Sequence, residues 1–471
     1  AASVQAVHPG DGSIITVESL LSADGIRWIY THVMLNFVTF PPLGYALTAM
    51  VGIGIAEGSG LFAAMIKALV LNAPPRLITA AIVLAGVLSS IGEGVGYVIL
   101  IPLGAMIYHA IGRHPLAGLA AAFCGVSGGF GANVMIGAND TILAGLSEAA
   151  AQIIDPAETV NPAANYYFMC VSTVLITAVG TWVTEKIVEP RLGQYTGSTP
   201  RASVDPLTRA EKKGLIGALI ALILTVAGLT LMIAPEGAVL RNPETGGVLA
   251  SPFFKGIIVA ILLFFLIPGL TYGLITRSIR NDRDFMKHIT VSMKPLLNYI
   301  VLVFFAAQFV AYFGWTNLGA ITAVTGAEFL RSIGLTGPLI FVFFILMCAF
   351  INLMLGSASA QWAVTAPIFV PMLMLLGYSP EVIQAAYRIG DSTTNIITPM
   401  MSYFGLILAF VTRYDKKAGV GTMIAMMLPY SIAFMLGWTV LFYLWVFVAG
   451  LPVGPTAPTY YEAPVPLSLI H

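Results

Sequence analysis

The chain has 471 residues, 58% of them hydrophobic and only 9% charged, with a formal net charge of zero at neutral pH. Apolar runs of about 20 residues recur along it, the length needed to cross a bilayer core. That composition excludes a water-soluble globular domain and a nucleic-acid partner, and it marks an all-α polytopic membrane protein. The three cysteines, Cys124, Cys170 and Cys348, lie in apolar stretches without metal-ligand spacing and read as small buried residues.

In chain order, residues 1–29 form an external polar, turn-rich segment that lacks the basic start and apolar core of a signal peptide. Spans are expected at 30–56, 116–147, 166–190, 214–234, 251–276, 294–313, 381–411 and 419–449. Two further apolar regions, 77–112 and 336–376, are broken by SSIGEGVG (89–96) and LGSASAQ (355–361). Each half is too short to cross, so each region reads as a re-entrant helical hairpin. The chain thus divides into a first repeat over 30–190, a cytoplasmic linker over 191–213, a second repeat region over 214–450 and an external tail over 451–471.

The two halves match without a gap at a shift of 265 residues. Pro367 falls on Pro102, Gly377 on Gly112, Pro380 on Pro115, Gly390 on Gly125, and Ser392 on Ser127. Placing 64–76, 185–213, 277–294, 413–417 and Arg113 on the cytoplasmic side puts most of the 22 Lys and Arg inside. Five spans then separate Pro115 from Pro380, so the twin hairpins enter from opposite sides and the repeat is inverted. This arrangement puts residue 1 outside, unless a span upstream of this sequence is missing.

The span after each hairpin is interrupted as well, by GVSGGFGANVMIGAND (125–140) and GDSTTNIITP (390–399). Backbone groups freed by Gly and Pro are tolerated at membrane depth only where they line a cavity or bind something. Two hairpin tips and two broken helices therefore meet near the midplane, where half-helix N-termini favour an anion and freed carbonyls favour a cation. The plainer account is that small residues let helices pack closely.

Ionisable residues at membrane depth mark a pathway or a pair. Five are expected there: Glu57, Glu93 in the first hairpin tip, Asp140 at the end of the first break, Arg388 and Asp391. Arg388 and Asp391 share a helical face and form a natural structural pair; Glu57 lies close enough to a span end to reach the interface. Asn133, Asn139, Asn352, Thr394 and Asn395 supply uncharged polar groups in the same zones, as coordinating groups or as helix-to-helix hydrogen bonds. Ser90, Asn133, Asp391 and Asn395 are the candidates for a sodium site; Asp140 and Asp391 are the candidates for a proton.

The strings AEGSGL (56–61), GYVILIPLGAMIYHAIGRHPLAGLAAAFCGVSGGFGAN (96–133), GSASAQWAVTAPIFVPM (356–372) and YRIGDSTTNIITPM (387–400) resemble the AbgT family, the p-aminobenzoyl-glutamate transporters. Some members of that family are linked to sulfonamide efflux. The resemblance covers nearly the whole chain. It implies nine spans, two hairpins, a homodimer in the bacterial inner membrane, and an ion-gradient-driven transporter without a cofactor. It places functional positions on Asp140, Asn352, Trp362, Pro380, Arg388, Asp391 and Pro399. Family members begin with a cytoplasmic tail and one more span, which supports the missing-span option.

A substrate of this class has a ring and a carboxylate. The carboxylate can be met by Arg388 or by backbone amides at 356–359, including Ser357 and Ser359, and at 392–394. Trp362, beside the second tip, is expected to offer the ring its apolar face, with Tyr97 its equivalent beside the first. Two other classes compete. An intramembrane aspartyl protease would use Asp140 and Asp391 as a dyad, but Arg388 stands where its Gly-x-Gly-Asp motif needs glycine, and the repeat goes unexplained. A passive channel would want a continuous polar stripe or a symmetric filter rather than two unlike halves with blocked tips.

Overall fold

In the computed structural model, the described residues are 5–7, 14–91, 94–197, 199, 206–248, 251–294 and 296–461. Two short antiparallel strands, β1 (Gln5–Val7) and β2 (Ile14–Thr16), precede an otherwise helical chain. Helix α1 (Ala23–Val38) runs almost directly into α2 (Pro41–Gly58), which starts on two prolines whose missing N–H groups cost nothing in a first turn. Helix α3 (Leu61–Leu71) follows a left-handed glycine, Gly60.

The first hairpin is α4 (Ile78–Ser89) and α5 (Gly96–Ala110), and the first broken helix is α6 (Pro115–Gly128) and α7 (Ala138–Ala151). Then come α8 (Tyr166–Leu192), α9 (Arg209–Leu231), α10 (Ile257–Thr276) and the amphipathic α11 (Asp282–Ser292). Helices α12 (Leu296–Trp315) and α13 (Leu318–Ser332) lead into the second hairpin, α14 (Ile340–Leu355) and α15 (Ala358–Met374). The second broken helix is α16 (Pro380–Asn395) and α17 (Phe404–Tyr414), and α18 (Val420–Val448) closes the fold.

Six of these helical stretches are long and apolar enough to cross a membrane: Ala23–Gly58, Tyr166–Leu192, Arg209–Leu231, Ile257–Thr276, Leu296–Trp315 and Val420–Val448. They coincide with the six unbroken spans expected from the sequence. Both hairpins and both broken helices are present.

The 265-residue register holds in three dimensions. Gly112 and Gly377 both turn with positive φ (82° and 94°), which lets each hairpin arm reverse into the helix that follows, whose first residue is a proline. Gly125 and Gly390 are equivalent as well. A Cβ on Gly125 would stand 2.3 Å from the Val83 carbonyl oxygen of α4, and one on Gly390 would stand 2.5 Å from the Ile345 carbonyl oxygen of α14. Each broken helix is thus pressed backbone to backbone against its own hairpin, as small residues allow in membranes.

Three expectations are corrected. The stretch 64–76, expected as a loop, is mostly helical: α3 reaches Leu71 and bends by 116° into the segment Pro75–Ser89. Its counterpart α13 was not expected, because at 15 residues it is too short and too mixed to register as a span. The second break does not cover 390–399. Helix α16 continues through Gly390, Asp391, Ser392, Thr393 and Thr394 to Asn395, and the unwound segment runs over 396–403. A single glycine in a helix buried on all sides costs only about 1 kcal/mol and does not end it.

The core lies where the repeats meet. Helix α15 packs on α7, and α16 packs on α6, α7, α14 and α18. Every residue of α16 is buried, although its mean hydropathy is near zero, so its polar groups have to find partners inside the protein. Helices α9 and α10 pack on each other and α10 packs on α2; most of α9 is exposed, with bare Ile216, Leu219, Ile220 and Leu224. Such a surface suits an apolar surrounding rather than water.

Candidate functional site

The positions expected to carry chemistry fall into two neighbouring arrangements. The first is a buried polar chain that stitches the repeats together. The Arg388 Nη1 of α16 lies 2.7 Å from Asp140 Oδ1 at the start of α7, with both side chains almost wholly buried. Their alignment is that of an ion pair rather than a directed hydrogen bond, since neither terminal guanidinium nitrogen meets a well-aligned acceptor. The expected Arg388–Asp391 pair is therefore replaced by one between repeats. Asp140 has a second role: its Oδ2 accepts from the Gly137 N–H at 2.7 Å and caps α7.

Arg388 Nε donates to Asn165 Oδ1 at 2.9 Å, and Gln384 Nε2 donates to the same oxygen. Gln384 Oε1 accepts from Ser147 Oγ at 2.6 Å, and that hydroxyl accepts from Trp362 Nε1 at 2.9 Å. The chain of contacts runs from α15 through α7 and α16 to the foot of α8. Trp362 sits at its end, fully buried, with its ring stacked on Tyr387 at 4.3 Å between centroids. It does not line the cavity described below, which leaves it no face to offer a substrate ring.

Asn165, Ser147 and Gln384 escaped the sequence reading. The available signal was spacing. Gln384 precedes Arg388 by one helical turn, and Ser147 follows Asp140 by two, so each lies on the face of an already suspected charge.

Asp391 and Asn352 form the core of the second hairpin's contact with α16. The Asn352 Nδ2 donates to the Asp391 carbonyl oxygen at 2.7 Å, to Asn395 Oδ1 at 2.9 Å and to Thr394 Oγ1 at 3.0 Å. The Asp391 Oδ1, Asn352 Oδ1 and Gln361 Oε1 atoms are buried acceptors that no described donor reaches. In the first repeat, Asn133 Nδ2 donates to Ser90 Oγ at 3.0 Å and to the Val87 carbonyl. The residues considered for sodium thus fall into two sets of contacts, one in each repeat. Across the repeats, Ser392 Oγ accepts from the Gly131 N–H at 2.8 Å, and Ser127 Oγ lies 3.2 Å from Met401 Sδ. Pro380 opens α16 and Pro399 lies in the unwound segment after it. Glu93 lies outside the described residues.

The second arrangement is a cavity of about 560 Å³ between the two breaks. Gly356, Ser357, Ala358, Ser359 and Ala360 of the second tip form one wall, with Asn139 and Asn395 adjoining. The first-turn amides of α15 carry no side-chain cap, because N-cap Ser357 makes no such bond. Tyr97, Phe130, Tyr299 and Tyr403 form an aromatic wall, in which the Tyr97 and Tyr403 rings stack 4.3 Å apart and nearly parallel. Its described lining contains no charged residue. Of the amides expected to meet an anion, that of Gly356 donates to the Asn352 carbonyl at 2.9 Å and those at 392–394 are spent inside α16, which leaves the first turn of α15 beside the cavity.

Comparison with known proteins follows the same outline. The profile of the "AbgT putative transporter family" matches residues 1–461. A protein of Escherichia coli (strain K12) named p-aminobenzoyl-glutamate transport protein is 39% identical over 452 residues, which is 96% of this chain and 89% of that one. Two solved structures superpose closely. One is the YdaH transporter of Alcanivorax borkumensis, described as having an unusual topology, with TM-score 0.91, 46% identity, and 96% and 95% of the two chains covered. The other is MtrF of Neisseria gonorrhoeae, described with a class of antimetabolite efflux pumps, with TM-score 0.92, 55% identity, and 97% and 93% covered.

Proposed function

The chain belongs to the AbgT family of membrane transporters, and on that premise we propose that it moves p-aminobenzoyl-glutamate or a related aromatic carboxylate, driven by an ion gradient. One observation carries the substrate class: the uncharged cavity that pairs an aromatic wall with free helix amides. Its volume is that of an ordinary small-ligand site. The stacked Tyr97 and Tyr403 suit a flat ring, and the first turn of α15 suits a carboxylate through its N–H groups and its dipole. A sulfonamide, with a similar aminophenyl ring, fits the same wall, and export of such antimetabolites is the companion activity.

For coupling, the unpartnered oxygens of Asp391, Asn352 and Gln361 suit a proton or a sodium ion, which would satisfy acceptors that otherwise cost free energy when buried. The positive-inside bias supports an orientation with the first hairpin entering from the cytoplasm, in a bacterial inner membrane, and family resemblance supports a homodimer. A protease dyad gains nothing from the geometry, since Asp140 is engaged by Arg388. Uptake of labelled p-aminobenzoyl-glutamate into sealed proteoliposomes, with proton and sodium gradients imposed separately, tests the proposal. Uptake that ignores both gradients would sink the coupling, and no uptake or exchange at all would sink the substrate class.

A further inference from the structure

At the end of the molecule opposite the basic loops, four carboxylates gather where the α7–α8 connection crosses the start of α16. Glu148 is on α7, Asp155 and Glu158 are on the connection, and Glu381 is in the first turn of α16. The connection is threaded between them. The Val160 N–H donates to Glu148 Oε2 at 3.1 Å, and Asn165 Nδ2 donates to the Glu381 backbone carbonyl at 2.8 Å. Asp155 is well satisfied, with Oδ2 accepting from Tyr461 Oη at 2.8 Å and Oδ1 from the Ala157 N–H. Glu381 is less so: it is 3% exposed, its carboxyl is approached by the Ser379 side chain and its own N–H, and its Oε2 meets no hydrogen-bond partner.

The charges act on one another. Glu158 is within electrostatic reach of Glu381, of Glu148 and of Asp155. Burial, and then Asp155, pushes the Glu158 carboxyl above its ordinary value. Other titratable groups within reach of the cluster are Tyr45 on α2, beside Glu148, and Tyr461; Tyr378 at the turn before α16 turns its hydroxyl to the Thr336 carbonyl instead. Arg388 lies two turns along α16 and is committed to Asp140. Lys255 follows Phe254, whose carbonyl accepts from Asn161 of the connection. Among the described residues no cation forms an ion pair with any of the four carboxylates.

Neighbouring carboxylates that are taken out of water without a cation do not all stay ionised; the set holds a proton or binds a cation. Among the described residues no three acidic, histidine or cysteine side chains are placed to hold a metal ion. A proton needs only one carboxylate oxygen, and Glu381 Oε2 is the fully buried carboxylate oxygen of the four that makes no hydrogen bond.

We propose that Glu381, together with Glu158, is a proton-binding site at neutral pH, separate from the central cavity and set at the mouth that the charge bias places outside. The inference rests on the reading of the chain as an ion-driven transporter only for its use, as a loading point where external protons enter; the binding itself does not depend on the substrate. The proton leaves water, forms one O–H bond on a carboxylate and returns to water when that bond breaks. Glu381 shares α16 with Arg388 and Asp391, and Asn165 touches both the Glu381 carbonyl and Arg388, so the site has a direct mechanical link to the centre.

Proton uptake by the purified full-length protein in detergent, without substrate, tests this. On acidification from about pH 9 to about pH 6, well above the ordinary glutamate range, wild type should take up about one proton more than E381Q. E158Q, which removes the like charge and lies outside the helix, should shift that uptake toward lower pH without abolishing it. Equal uptake by wild type and both variants overturns the proposal, and is the result expected if the first turn of α16 simply holds Glu381 ionised. Loss of the wild-type uptake in sodium chloride but not in choline chloride overturns it too, in favour of a cation site. If E381Q fails to fold, E158Q decides alone: an uptake midpoint unshifted from wild type overturns the proposal. Transport of p-aminobenzoyl-glutamate is measured separately in proteoliposomes, so a protein that binds the proton but moves no such substrate refutes the proposed function and leaves this inference standing.

Discussion

Arg388 and Asp140 come from opposite halves of an internal repeat and meet 2.7 Å apart in the interior. Asp391, three residues from Arg388 on the same helix, has an oxygen with no hydrogen-bond partner among the described residues. The cation on α16 is thereby used to join the repeats, and the nearer carboxylate is left with the Tyr387 and Asn395 side chains beside it.

This division predicts opposite outcomes for the two aspartates. Asp140→Asn strands a buried guanidinium, a change that typically costs about 3–5 kcal/mol. Its thermal midpoint in detergent should fall well below wild type, and the double change Asp140→Leu, Arg388→Met should recover much of it. A single variant as stable as wild type would show that the pair is not a structural tie.

Asp391→Asn should keep the fold and equilibrium substrate binding but lose accumulation against a gradient, while exchange of labelled for unlabelled substrate continues. Loss of exchange and accumulation together would move Asp391 from ion coupling to substrate handling.

Trp362 is predicted to matter for stability rather than affinity. It is buried, donates to Ser147, and lies outside the cavity lining. Trp362→Ala should cost about 3–5 kcal/mol, and Trp362→Phe should cost less while leaving Ser147 one bond short. In protein that remains folded, the dissociation constant for p-aminobenzoyl-glutamate should stay close to wild type; a tenfold weakening for Trp362→Phe would return the ring to Trp362.

The aromatic wall makes the complementary case. Tyr97→Ala or Tyr403→Ala removes a stacking face worth about 0.5–1.5 kcal/mol beyond area, so binding should weaken up to about tenfold. Phenylalanine at either position should preserve it. Equal losses for Phe and Ala would mean that the hydroxyls, not the rings, make the contact.

The inverted arrangement is testable at the two hairpin turns. Ile111 and Leu376 occupy equivalent positions one residue before the left-handed glycines Gly112 and Gly377. Single cysteines there, in a background lacking Cys170, should react with an impermeant thiol reagent from opposite sides of a sealed membrane. Labelling from one side would remove the inversion.

The spans, hairpins and repeat were legible because each rests on local chemistry. Apolar length marks a span, and a Gly- or Ser-rich gap in an apolar run marks a tip. A proline and a glycine held in register, as at Pro115 and Pro380, mark a twin. The partners of the charges were not legible. Arg388 has Asp391 on its own helical face, and nothing in the local sequence says that it turns instead to Asp140, which only the packing of α16 on α7 brings near. The end of α16 was misplaced for a related reason. Gly390 looks like a break until its close contact with the Ile345 carbonyl shows that it serves packing. Trp362 has the position of a ligand contact and the surroundings of a core residue, and sequence reports only the first.

The pair that ties the halves also sets an order of events during synthesis. Asp140 enters the bilayer first and must wait while the helices between the repeats are made before Arg388 arrives. It can afford the delay, since its other oxygen already accepts from the Gly137 amide at the head of α7. Arg388 enters last, into a site where Asp140 and Asn165 are already present. A second half made alone would lack Asp140 and Asn165, and Arg388 would fall back on Asp391, three residues along its own helix.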